Sequence, residues 1–184
     1  TGGIACMIGG ENFKMSAFNR TVQAKRQPGS AFKPFVYSVA LQQGYEQSDT
    51  LLDAPLSYRL ENGKTWQVNN FSKTFHGRMT HRKALALSKN TPIVRLIEQI
   101  GSEKVVAFAR RAGIESRLNP NLSLALGTSE VTLLELTAGY VPFANQGIKI
   151  EPFAIIKISD ADGRLIHRHA SEKQQVMSRQ DAAV

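Results

Sequence analysis

Apolar positions in this chain come in short blocks separated by glycine, proline and turn residues, and the spacing inside each block predicts an element. Ile4-Ala5-Cys6-Met7-Ile8 is a continuous apolar run between two Gly-Gly pairs. It predicts a strand buried on both faces, with Cys6 as a small packing residue. Phe32, Phe35, Val36, Val39 and Ala40 recur at helical spacing up to Gly44, which predicts a central, buried helix with a glycine C-cap. Residues 45–80 carry turn signals at Asp53-Ala54-Pro55, Glu61-Asn62-Gly63-Lys64 and Asn69-Asn70 without a sustained period, so they read as an irregular segment wrapped over the core. Trp66 in that segment either walls a binding site or plugs the gap beneath it.

Thr80 is placed to cap a short helix through Ala84–Leu87, and Thr91-Pro92 to start another that runs to Ile100 and stops at Gly101. Ser88-Lys89-Asn90 then falls in the tight turn between them. Ser102 caps a third helix, ending at Gly113. Thr132-Leu133-Leu134-Glu135 is a capping box opening a helix to about Asn145, with Pro142 kinking its last turn. Phe153–Ile158 and Leu165–His167 read as two strands joined by the turn Asp160-Ala161-Asp162-Gly163, and a last helix can begin within the C-terminal segment.

Length allows one domain with a real core. No apolar run approaches the ~18 residues that would span a bilayer. The chain starts with Thr1 directly in an apolar stretch and reads as a piece of something longer. With 23 basic against 15 acidic residues it carries a net charge of +8, which favours anionic partners. The basic residues are scattered without aromatic alternation, however, so nucleic acid is not expected as a partner. One cysteine excludes an internal disulfide and a cysteine metal cage. His76 and His81 lack ligand spacing, and His167 and His169 would share a strand face with no further ligand nearby, so all four read as surface residues and no metal is expected.

Candidate chemistry begins at Ser30-Ala31-Phe32-Lys33. If the helix starts at Pro28-Gly29, the Ser30 hydroxyl and the Lys33 amine lie one turn apart on the same face, the minimum arrangement for a serine nucleophile and a lysine base. Pro34 removes the helical partner of the Ser30 carbonyl, which pins Ser30 to the first turn.

Ser30-x-x-Lys33 together with Ser88-Lys89-Asn90 resembles the signature of penicillin-binding proteins and serine β-lactamases. Phe18-Asn19-Arg20, Arg26–Phe35, Gly63-Lys64-Thr65-Trp66 and Leu124–Thr132 extend the resemblance, specifically to the transpeptidase domain of class A, bifunctional penicillin-binding proteins. It runs from Thr1 to about Gly163. The implied fold is α+β, a helical layer on an antiparallel sheet, with residues 1–184 as the N-terminal and central part of one domain. The third family motif, Lys-Thr-Gly, is missing: Lys64-Thr65 precedes Trp66 and Lys73-Thr74 precedes Phe75. Truncation before its strand is the expected cause, leaving an open sheet edge and a tendency to self-associate. The family's membrane anchor and glycosyltransferase segment are not in this sequence.

The resemblance implies that Ser30 attacks the carbonyl between the terminal D-alanines of a peptidoglycan stem peptide and forms an acyl-enzyme. Lys33 takes its proton, Ser88 relays a proton to the leaving amine, and Asn90 holds Lys33 and the substrate amide. Lys89 is expected to point away from Ser30. Trp66 stands as a candidate substrate contact. Penicillins would be covalent inhibitors, no cofactor is implied, and the site would work outside the cytoplasmic membrane. With one oxyanion donor missing, the expected activity of the chain alone is weak or nil. Two other functions remain open. A β-lactamase of the same fold would need a water-activating acidic loop that is not recognisable here. A non-catalytic cell-wall or anionic-polymer binding module would be indifferent to Ser30→Ala and would release its ligand in salt.

Overall fold

The computed structural model describes residues 2–184. In chain order the elements are α1 (Arg20–Gln23), α2 (Lys33–Gln42), β1 (Thr50–Asp53), β2 (Leu56–Arg59), β3 (Thr65–Val68), β4 (Gly77–Thr80), α3 (His81–Ala86) and α4 (Asn90–Ile100). They continue with α5 (Ser102–Ala112), α6 (Leu133–Ala144), β5 (Ile148–Ile150), β6 (Lys157–Ser159), β7 (Leu165–Arg168), β8 (Lys173–Gln175) and α7 (Arg179–Ala183). Two compact units result, one comprising Gln27–Phe108 and Arg117–Glu130, the other residues 2–26, Ala109–Ser116 and Val131–Val184.

The first unit is built on α2, which is buried almost all round: Phe35, Val36, Tyr37, Ser38, Val39 and Ala40 all lie inside. Phe35 stacks on Phe32 with ring centroids 5.2 Å apart and meets Phe108 at 6.2 Å. Ile93, Val94, Leu96, Ile97 and Ile100 line the buried face of α4. The entry to α2 follows from Pro34. Lacking an N–H, it cannot bond the Ser30 carbonyl, and the Lys33 N–H takes that carbonyl instead, tightening Gly29–Phe32 into a 3-10 turn. Gly29, at φ +57, permits the bend into this turn. Gly127, itself at φ +66, packs against the Gly29 backbone and accepts the Gly29 N–H at 3.2 Å.

Residues 45–80 are more ordered than their turn signals imply. β1 pairs antiparallel with β4 (Thr50 opposite Thr80, Asp53 opposite Gly77) and β2 with β3 (Leu56 opposite Val68, Arg59 opposite Thr65). Strands of four residues hold only two alternations, too few to stand out among prolines, asparagines and glycines. β1 also hides its pattern, because one of its two inward positions is an aspartate, Asp53. Thr80 caps α3 as expected, accepting the Lys83 N–H. His81 departs from the surface reading: it is buried between Tyr37 and Tyr45, and burial lowers its pKa.

In the second unit the capping box is present, with Thr132 and Glu135 each accepting the other's backbone N–H. Glu135 also accepts from Glu115 N at 3.0 Å, Ser116 N at 2.6 Å and Ser116 Oγ at 2.8 Å. Burial alone would raise its carboxyl pKa, but bonds from Thr132 and Ser116 outweigh that and hold it below the usual value. β5 pairs with β8 and β6 with β7, all antiparallel. The strand read at residues 153–158 begins only at Lys157. Phe153 instead forms a lone parallel bridge with Gly3. Residues 4–8 form no strand, and Cys6 is exposed rather than packed. An apolar run buries itself only where neighbours flank it, and among the described residues the strand-like bond of Ile4 goes to Phe153 O at 2.8 Å.

Gly127→Ala should be destabilising by about 1–3 kcal/mol, from positive φ plus a Cβ forced into the Gly29 backbone. Urea unfolding of the variant measures this. A wild-type midpoint would mean that the turn preceding Ser30 yields without cost.

Candidate active site

Four oxygens converge on one buried amine. Lys33 is 1% exposed, and its Nζ donates to Ser88 O at 2.7 Å, Asn90 Oδ1 at 2.8 Å, Ser88 Oγ at 3.1 Å and Lys89 O at 3.2 Å. All four acceptors are neutral, so nothing offsets the loss of water with opposite charge, and burial lowers the Lys33 pKa from 10.5 to about 8. Ser88 Oγ also bonds Ser30 Oγ, at 2.9 Å. A continuous hydroxyl path thus joins Ser30, Ser88 and Lys33, one turn of helix from the 3-10 start.

Each partner is aimed by its local backbone. Ser88 ends α3 in the left-handed region at φ +51, a place usually taken by glycine, while its N–H bonds Leu85 O and the Lys89 N–H bonds Ala84 O. Holding a serine there costs on the order of 1 kcal/mol, and turns both its carbonyl and its hydroxyl toward Lys33. Asn90 opens α4; its Nδ2 donates to Asn69 O at 2.8 Å, which leaves Oδ1 for the amine.

Ser30, Lys33, Ser88 and Asn90 are therefore brought together, the two short motifs meeting across 55 to 58 residues of sequence. Trp66 is not with them. It stacks on Tyr58 across the β2–β3 pair, ring centroids 5.7 Å apart, and does not line the cleft of about 620 Å³ that contains Ser30. Asn70, Phe71, His76, Ser88 and Asn90 are among that cleft's walls. Phe71 stands fully exposed there.

Beneath the cleft lies a polar cluster that the sequence did not single out. Asp53, fully buried, accepts Asn70 Nδ2 and Thr91 Oγ1, both at 2.6 Å, and His76 N at 3.0 Å. Burial alone would raise its carboxyl pKa; the bonds from Thr91, Asn70 and His76 prevail and lower it. Lys89 points away from Ser30, as expected, and places its ammonium 3.8 Å from Asp53. Thr91 does not cap α4 with its own side chain, because that hydroxyl is given to Asp53. Asn70 Oδ1 does so from outside, accepting Asn90 N at 2.8 Å and Thr91 N at 3.4 Å. An acid at a core-facing position of an apolar run was the available signal for Asp53. Asn70 read only as half of a turn pair. Among the described residues no His, Cys, Asp and Glu cluster could hold a metal ion.

A family model described as the penicillin binding protein transpeptidase domain matches residues 1–183. Penicillin-binding protein 1A of Aquifex aeolicus is 41% identical over 186 aligned residues, covering all of this chain and 25% of that protein. The crystal structure of penicillin-binding protein 1A from Haemophilus influenzae superposes with a TM-score of 0.85 at 35% identity, over 90% of this chain and 25% of that one. PonA1 of Mycobacterium tuberculosis in complex with penicillin V gives 0.81 at 25% identity, over 95% of this chain and 48% of that one. The chain thus spans about a quarter of the length of the curated relative described here.

The depressed Lys33 pKa ties stability to pH. Between about 8 and 10.5 the unfolded chain binds more protons at this residue than the folded one, so its contribution rises with pH across that window. It is fully present above 10.5 and lost as pH falls through about 8. Wild type should therefore gain about 3 kcal/mol on Lys33→Met over the window. Paired urea midpoints from about pH 7 to 11 measure it; a constant difference would mean Lys33 titrates alike in both states.

Proposed function

The chain belongs to the penicillin-binding protein transpeptidase family, and on that premise we propose that Ser30 is the acyl-accepting nucleophile of a peptidoglycan D,D-transpeptidase. The observation that carries this reading is the Ser30–Ser88–Lys33 path, 2.9 and 3.1 Å per step, ending on an amine whose pKa burial has lowered to about 8. At pH 7 roughly a tenth of such an amine is neutral and able to accept a proton, against well under a thousandth for a free lysine.

The chemistry runs in two halves. Ser30 Oγ attacks the carbonyl carbon of the terminal D-Ala-D-Ala bond; its proton passes to Ser88 Oγ as the Ser88 proton passes to Lys33 Nζ. Charge on the carbonyl oxygen is met by the Ser30 N–H, at the start of the 3-10 turn. When the C–N bond breaks, the proton returns from Lys33 through Ser88 to the departing D-alanine amine, leaving an ester on Ser30. An amine of a neighbouring stem peptide then attacks that ester. Its proton goes back along the same path to Ser30 as the C–O bond breaks, and a cross-link results. Asn90 holds Lys33 by Oδ1 and offers its amide to the stem-peptide backbone. Penicillin enters the same route through its strained ring amide, whose nitrogen stays tethered after opening; a complex with penicillin V exists for PonA1. A site with this substrate works outside the cytoplasmic membrane. No described helix is long and apolar enough to cross a membrane.

Fluorescent penicillin tests the reading, on this chain and on a longer natural polypeptide containing it. Label should sit on Ser30 and vanish in Ser30→Ala, and Ser88→Ala should slow labelling by about 10²–10³. Its rate should rise with pH through about 8 as Lys33 loses its proton. The chain by itself should react more slowly, by about 10²–10³, because only one oxyanion donor is identified in it. Label elsewhere than Ser30, or none on the longer polypeptide, would overturn the assignment; rapid release of hydrolysed penicillin would mark a β-lactamase instead.

A further inference from the structure

Lys33 is held by groups at the α3–α4 turn, and that turn is itself held from below. Asn70, 3% exposed, has its amide locked in one orientation: Nδ2 donates to Asp53 Oδ1 at 2.6 Å and to Thr74 O at 2.9 Å. Its Oδ1 is thereby turned to the first turn of α4, where it accepts Asn90 N and Thr91 N. Asp53 Oδ1 additionally takes Thr91 Oγ1, and Asp53 Oδ2 takes His76 N and faces Lys89 Nζ. Residues 89 to 91 are thus gripped at two backbone N–H groups and two side chains. The same three residues present the Lys89 carbonyl and the Asn90 Oδ1 to Lys33.

We propose that Asp53 and Asn70 are positioning residues for Lys33: Asp53 sets the direction of the Asn70 amide, and Asn70 caps α4 so that the Lys89 carbonyl and Asn90 side chain stay on the amine. This rests on the transpeptidase reading for its importance, since Lys33 is there the proton acceptor. Neither residue is hydrogen-bonded to Ser30.

The test follows backbone exchange and Lys33 itself, neither of which needs acylation. In Asn70→Ala, the Asn90 and Thr91 amides should exchange roughly tenfold faster while those of Val36 and Ile97 are unchanged. The NMR-detected Lys33 titration should move from about 8 toward 10.5 as water reaches the loosened amine. Asn70→Asp alone sets two carboxylates against each other and should show the same Lys33 shift. Adding Asp53→Asn restores a donor–acceptor pair of opposite polarity, though not the bond to Thr74 O, and this exchanged pair should return the titration most of the way to the wild-type midpoint. It also decides the matter where Asn70→Ala does not fold. Unchanged exchange at Asn90, an unmoved Lys33 midpoint in the folded single variants, or an exchanged pair that behaves as the worse single variant would each overturn the proposal. Absence of penicillin label on Ser30 alongside the expected exchange and titration would strike the transpeptidase reading and leave the positioning role standing.

Discussion

Burying an amine without a carboxylate beside it is the constraint on which the site depends. Lys33 gives up water and receives four neutral oxygens, three of them from backbone carbonyls or an amide and one from a hydroxyl. Such partners satisfy the donors of an ammonium yet stabilise its charge less than an anion would. The result is an amine within reach of deprotonation near neutral pH. Replacing any of the four by a carboxylate would favour the protonated form and work against a base.

A second lysine one residue from Ser88 shows the opposite solution. Lys89 is buried to a similar degree, but it faces the Asp53 carboxylate. The two amines thus sit on either side of one turn, one with an anion and one without. That separation holds because Ser88 adopts a left-handed conformation while Asn90 starts a helix, so consecutive side chains leave the turn in different directions. Backbone geometry thus gives the two amines different surroundings, one facing Asp53 and one facing only neutral oxygens.

Proline at position 34 shapes the other half. By forcing the Ser30 carbonyl onto the Lys33 N–H, it makes a 3-10 turn of Gly29–Phe32. A 3-10 turn nearly eclipses residues three apart, so Ser30 and Lys33 project from the same side. Gly127 lies against Gly29 and fixes the approach to that turn from a segment almost a hundred residues distant in sequence.

Ser30, Lys33, Ser88 and Asn90 could be named as candidates from the sequence because short spacings and flanking residues that resemble a known family single them out. The α2 core stripe, the Thr80 cap and the Thr132–Glu135 box were legible for the same reason: each is decided within one or two helical turns. What stayed hidden was decided over distance. Asp53 looked like part of a turn, Asn70 like another, and Thr91 like the natural cap of its own helix. Cys6 and His81 were assigned opposite burial to what they have, since burial depends on which distant side chains arrive. The bonds that gather Lys33 join residues 55 to 57 apart, and Ser88 meets Ser30 across 58. Local pattern determined which groups were candidates for the chemistry; only tertiary packing determined that Ser88 Oγ donates to Ser30 Oγ and accepts from Lys33, and that a buried aspartate and an asparagine stand underneath them.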